Sequence, residues 1–217
     1  MKSLRLAPLA ASVALLVPLA APQIAPAATA RPGDTANLAQ VARYIEAVKS
    51  LTADFAQTDR NGQTLTGKLT LKQPGKIRFQ YQPDVAMLIV GDGHALTMID
   101  YDVQQVQRWP IRNSPLGALI DPSRDFTKFS KVIETGDPNV LSVEARDARH
   151  PEYGTIMLVF KRKAGMPAGL DLYGWVARDA QGNRTAVRLS NHRYNAPVDD
   201  RVFRWRDPRP KGRRAGG

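Results

Sequence analysis

The chain has 217 residues, with 31 Lys or Arg against 20 Asp or Glu and no cysteine. The absence of cysteine excludes a disulfide framework and a lipidated cysteine anchor, so stability has to come from an apolar core that a chain of this length can bury as one domain. A net charge of +11 points to anionic lipid head groups or an acidic partner surface, while nucleic acid is set aside because no recognition motif occurs and the chain carries an export signal.

Lys2 and Arg5 precede an apolar run from Leu6 to Ala21, and small residues follow through Ala30. This is the pattern of a secretory leader over 1–28, cleaved after Ala27, Ala28 or Ala30; the run is too short for a membrane span and is interrupted by Pro8 and Pro18. Its loss would take the net charge from +11 to +9, since Lys2 and Arg5 leave with it. The expected destination is the periplasm.

After Pro32-Gly33, Asp34 or Thr35 is placed to cap a helix. Leu38, Val41, Ala42, Ile45 and Val48 recur at helical spacing and predict one amphipathic helix over about 36–50. The period then changes to two. Leu69 and Leu71 alternate with Lys68, Thr70 and Lys72, and Ile77, Phe79 and Tyr81 alternate with Arg78 and Gln80 across a turn at Pro74-Gly75. Three more strands are predicted at 85–90, 95–99 and 103–109, the last two joined by a turn at 100–102. From Asn113 to Ser130 the alternation stops, and Ser114-Pro115 and Asp121-Pro122-Ser123 each open a short predicted helix, the first ending near Ile120 and the second near Phe129. Strand patterns resume at 131–135, 139–146, 154–162, 168–177, 184–194 and 201–206, and a basic, disordered tail is expected over 209–217.

These elements specify a mainly β (α+β) domain over 31–208: a large antiparallel sheet with one apolar face and one face lined by Lys, Arg, Gln and Thr. Such a sheet must curl and cover its apolar face, and the helices are the available cover. Alternation leaves open whether the space beneath is packed solid or kept as a ligand cavity. Phe55, Phe79, Tyr81, Met87, Met98, Trp109, Phe126, Phe129 and Met157 suit either reading.

Catalytic signals are few. His94, His150 and His192 fall on or beside predicted turns, read as solvated, and have no metal-binding spacing; no G-x-S-x-G elbow or phosphate-cradling glycine loop occurs. Asp100 with Asp102 and Asp199 with Asp200 read as turn residues. No enzyme activity, cofactor or metal is expected, and a monomer is.

Three stretches and their order carry a resemblance to a known family: Val48-Lys49-Ser50-Leu51-Thr52-Ala53-Asp54-Phe55-Ala56-Gln57, the hairpin from Gly67 to Tyr81, and Leu88-Ile89-Val90-Gly91-Asp92-Gly93. Ser114-Pro115-Leu116-Gly117-Ala118-Leu119-Ile120 adds a fourth. The chain resembles the LolA family of periplasmic outer-membrane lipoprotein carriers from about Leu38 to Pro208. The resemblance implies an open half-barrel whose apolar cavity shelters acyl chains, with lipoproteins taken from an inner-membrane ABC transporter and delivered to an outer-membrane receptor. The cavity it implies comprises Phe55, Leu69, Leu71, Ile77, Phe79, Tyr81, Met87, Ile89 and Met98. The implied lid, closed together with the N-terminal helix, comprises Leu116, Leu119, Ile120, Phe126 and Phe129. Many family members have an arginine just before the proline of the hairpin turn, where it helps hold the lid; this chain has Gln73, which offers only neutral hydrogen bonds. Two other readings stand beside the carrier: a lipid- or lipoprotein-sensing regulator of the same fold, which normally carries a second domain, and an exported hydrolase, disfavoured by the missing site.

Overall fold

The computed structural model describes residues 32–110 and 125–210. Helix α1 spans Pro32–Ala47, with Asp34 in its first turn. It begins earlier than the cap at Asp34 or Thr35 predicts, because proline's fixed φ suits the first helical position. It also ends three residues earlier than expected, and the reason is remote in sequence. Asn195 Oδ1 accepts from Lys49 N at 2.7 Å and Ser50 N at 3.3 Å, while its Nδ2 donates to Ala47 O at 3.0 Å. A side chain 148 positions away thus caps the helix and starts the first strand.

Six strands follow in antiparallel succession: β1 (Ser50–Thr58), β2 (Thr64–Lys72), β3 (Lys76–Tyr81), β4 (Met87–Asp92), β5 (Ala95–Asp100) and β6 (Gln105–Pro110). The second set is β7 (Ser130–Ile133), β8 (Val140–Ala145), β9 (Thr155–Arg162), β10 (Leu170–Arg178) and β11 (Arg184–Tyr194). Together they form one sheet in the order β6-β5-β4-β3-β2-β1-β11-β10-β9-β8-β7. Two meanders are therefore joined where β1 pairs with β11, and the sheet does not close on itself: it is an open half-barrel.

Strand β1 is absent from the sequence-based reading, and its pattern explains the omission. Ile45, Val48, Thr52 and Phe55 continue the helical spacing, while Leu51, Ala53 and Phe55 fit a period of two. Pairing with both β2 and β11 decides for the strand, which places Leu51, Ala53 and Phe55 in the core.

Three further expectations are corrected. The predicted strand at 201–206 is instead a 3-10 turn, Asp200–Phe203, opened by Asp199, whose carboxylate accepts from Arg201 N. The turn before β6 extends to Gln104, which leaves Val103 outside the sheet and 67% exposed. The second predicted helix of the insertion is represented among the described residues by one 3-10 turn, Phe126–Phe129, capped by Asp125; the first, at 114–120, lies outside them.

The large core lies on the helix side of the sheet, here called the inner face. Val41, Tyr44, Ile45 and Val48 of α1 belong to it, together with Leu51, Leu69, Ile77, Phe79, Val143, Leu158, Phe160, Leu170 and Leu172 from both meanders. The outer face is not uniformly polar, as alternation suggested. Leu88 and Val90 of β4 and Ile99 of β5 form a second, small core with Phe203, flanked by Tyr101, Val106, Val198 and Trp205. Residues 195–209, here called the strap, cross this face. Consecutive apolar residues such as Leu88-Ile89-Val90 are what a strand buried on both faces requires.

Candidate functional site

The inner face divides by packing. Phe55, Leu69, Leu71, Ile77, Phe79 and Tyr81 are all at most 3% exposed, whereas Met87, Ile89 and Met98 are only half-buried. In the packed part, Phe55 meets Phe79 and Tyr81 edge to face at centroid distances of 5.4 and 5.2 Å, and Phe79 meets Trp175 at 6.1 Å. Gly67 makes room for this cluster, since a β-carbon there would come within 2.8 Å of the Phe55 ring and 2.1 Å of Gln80 O. Tyr81 donates to Gln57 Oε1 at 2.9 Å; burial pushes its hydroxyl up to about 12, so it stays protonated as a donor. Edge-to-face contacts of this kind add to area burial and fix ring positions.

The looser part lies toward the β6 edge. Ile89 faces Met98 across β4 and β5, Leu96 faces Trp109 across β5 and β6, and the half-buried Met87, Ile89 and Trp109 pack against the margin of the inner core. Flexible methionine at such a margin adapts to irregular apolar shapes. Of the lid residues implied by resemblance, Phe126 is buried and meets Phe129 edge to face at 6.2 Å, with α1 adjacent to their turn. Leu116, Leu119 and Ile120 lie outside the described residues.

Helix α1 is pinned at three places by polar groups that helical periodicity does not reveal. Arg162 on β9 donates to Gln40 Oε1 at 2.6 Å and Asn37 Oδ1 at 2.7 Å. Asn195 holds the C-terminal end. Between them Tyr44, 1% exposed and outside the apolar periodicity of the helix, donates to Tyr194 Oη at 3.3 Å. Tyr194 Oη in turn donates to Asp171 Oδ1 at 3.0 Å and accepts from Leu172 N at 3.0 Å. Burial raises the Tyr194 hydroxyl to about 12 and the Tyr44 hydroxyl well above its ordinary value.

His192 belongs to this network and is not a solvated turn residue. Its side chain is 12% exposed, with Nε2 2.8 Å from Leu172 O and Nδ1 3.5 Å from Asp171 Oδ1. A bulge in the β1–β11 register, with Asn191 at φ 54°, turns it there; bulges commonly re-aim side chains in this way. His94 and His150 are exposed, as read from sequence. Among the described residues no group of three or more His, Asp or Glu could hold a metal.

Gln73 lies under α1. Its N–H donates to Lys49 O at 2.8 Å, and its side chain lines a small gap with Tyr44, Ile45, Val48, Leu51, Leu71 and Leu172. Among the described residues its buried Oε1 has no hydrogen-bond partner. Lys72, Lys76 and Arg78 sit on the opposite face and hold the strap, as alternation predicted for their orientation.

Fold and site together define a class: an open antiparallel sheet capped by one helix, with an apolar inner face. Residues 46–206 match the family described as outer membrane lipoprotein carrier protein LolA. An outer-membrane lipoprotein carrier protein of Chromobacterium violaceum is 29% identical over 192 residues, spanning 84% of this chain and 89% of that protein. Another, from Xanthomonas axonopodis pv. citri, is 31% identical over 175 residues, spanning 75% of this chain and 80% of its own. Among solved structures, a LolA superfamily protein from Nitrosomonas europaea aligns with a TM-score of 0.46 at 11% identity, covering 79% of this chain and 97% of that one. The chain belongs to the LolA family.

Proposed function

We propose that this protein carries lipoproteins from the inner to the outer membrane, sheltering their acyl chains against the inner face of the half-barrel and acting by binding and release without catalysis. The observation that supports this best is the uneven packing of that face. A wall of aromatic and aliphatic residues at β1–β3 is continuous with the half-buried Met87, Ile89 and Trp109 at β4–β6, and Met98 faces Ile89 beyond them. Exposing acyl chains to water costs about 0.8 kcal/mol per methylene, so cargo needs a broad apolar shelter. It must also leave, and a loosely packed margin costs less to open than the aromatic cluster. In this reading a leader over 1–28 exports the chain, which works as a periplasmic monomer between a lipoprotein-releasing transporter and an outer-membrane receptor. Phe126 and Phe129 cover the inner face beside α1 as the described part of the lid, and Gln73 stands at the lid contact.

The test is release of newly made lipoprotein from spheroplasts into the medium by the purified protein. Wild type is expected to release it. Ile89→Asp and Met98→Asp, both at half-buried positions, are expected to abolish release and the binding of an apolar fluorescent dye, because each would desolvate a charge when the site fills. Normal release by folded variants would reject the β4–β6 margin as the cargo site, and no release by wild type would reject the carrier reading.

A further inference from the structure

The strap carries a charge pattern that cargo binding does not use. On the outer face Lys72, Lys76, Arg78, Arg201, Arg204, Arg206 and Arg209 stand against Asp199, Asp200 and Asp207, and the turn that carries Val103 adds Asp100 and Asp102, which leaves an excess of two positive charges. The three strap carboxylates are engaged locally. Asp200 takes Lys72 at 2.7 Å and Lys76 at 2.9 Å, Asp199 takes Arg201 at 2.6 Å, and Asp207 takes Arg209 at 2.6 Å. Arg78 is spent on the carbonyls of Val202 and Arg204, both at 3.1 Å. Arg204 and Arg206 are exposed, and among the described residues neither has an acidic partner.

Exposed aliphatic groups accompany these cations. Val202, 39% exposed, is in the strap itself. Val103, 67% exposed, is next to Gln104, which shares an open cleft with Tyr101, Arg206, Pro208 and Arg209. Among the described residues the remaining large apolar side chain of comparable exposure, Tyr173, lies on β10 with Lys161 Nζ 4.4 Å from its ring centre. Unpaired guanidinium groups beside exposed aliphatic side chains are what docking on an anionic bilayer requires: cations attracted to lipid phosphates and a few apolar groups entering the boundary below them. A folded acidic partner would need complementary shape, whereas a bilayer asks only for this mixed surface.

We propose that the strap face, through Arg204 and Arg206 with Val103 and Val202, docks the protein reversibly on anionic phospholipid surfaces. This is independent of the cargo reading, because the surface lies on the opposite side of the sheet from the inner face. The test uses the full, cargo-free chain and vesicles of phosphatidylglycerol with phosphatidylcholine, against phosphatidylcholine alone. Wild type is expected to sediment with the anionic vesicles at low ionic strength and to come off at about 1 M salt, where screening acts within about 3 Å. Replacing Arg204 and Arg206 together by serine is expected to weaken partitioning about thirtyfold. These changes leave the strap attached, because Arg78 is held by the Arg204 carbonyl and not by its side chain. Replacing Val103 and Val202 by serine should weaken it about tenfold. Both variants retain Lys211, Arg213 and Arg214, so the loss reports the strap face. Equal binding to the uncharged vesicles, no binding to the anionic ones, or full binding by the arginine variant would overturn the proposal. So would capture by an immobilised polyglutamate peptide without vesicle binding, which would reassign the face to an acidic protein partner.

Discussion

The inner core and the strap bury apolar side chains on opposite faces of one sheet, yet they are held in different ways. Inside, Val41, Tyr44 and Ile45 meet residues from both meanders, and Phe160, wholly buried, lies edge-on to Tyr44 at 5.0 Å. Outside, Phe203 covers Leu88, Val90 and Ile99 with half-buried Val198 and Trp205 beside it, and Lys72, Lys76 and Arg78 bind residues 198–204 of the strap. A core fed by two meanders stabilises by area. A segment with a single deep anchor also needs its backbone carbonyls engaged, since apolar contact alone does not fix its direction.

The comparison breaks most sharply at its large end. Phe160→Ala is expected to cost about 3–5 kcal/mol and to lower the melting temperature by roughly 10 °C or more, as read by thermal circular dichroism. A loss below about 1 kcal/mol would show that the inner core is not the main source of stability. Phe203→Ala should cost about 2 kcal/mol, less because the strap can settle onto the exposed site, and should speed amide exchange in 198–206 and β4 while leaving α1 protected. Uniform acceleration would mean that the strap is not a separate unit.

Gln73→Leu sharpens the account of the inner face. The buried Oε1 has no partner among the described residues, so the substitution removes a desolvated acceptor without breaking a hydrogen bond at that atom. Stability should rise by up to about 1 kcal/mol in urea titration. Destabilisation would show that the side chain is bonded in solution, as a lid contact requires. The smallest expected effect belongs to the outer clamp. Lys72 and Lys76 hold the Asp200 carboxyl down at about 2, below its ordinary 3.8. A depressed carboxylate contributes its stability above the ordinary value and loses it as pH falls through the depressed one. Relative to the intrinsic exchange rate at each pH, strap opening should therefore be flat from pH 7 to about 4 and rise between about 4 and 2, a rise that Asp200→Asn removes. An unchanged profile in the variant would exclude this clamp.

Residues with one periodic role were legible. Leu69, Leu71, Ile77, Phe79 and Tyr81 are buried on the inner face, and Lys72, Lys76 and Arg78 lie on the outer, because a period of two leaves a paired strand no other choice. Side chains whose partners are distant in sequence were not. His192 read as a loop residue until the bulge in β11 brought it to Asp171, and nothing near position 195 marks its asparagine as the cap of a helix ending at Ala47. Residues 201–206 alternate like a strand, but Asp199 starts a turn and Arg78 takes up the Val202 and Arg204 carbonyls that a sheet neighbour would have used. The sequence by itself determined the mainly β class and the inner apolar stripe, which rest on local period, while the open half-barrel and the family rested on the resemblance of its phrases and their order. Only the tertiary structure decided where the helix stops, that β4 and β5 are covered on both faces, and that Lys72, Lys76 and Arg78 hold the strap, because each depends on groups more than 100 residues apart meeting in space.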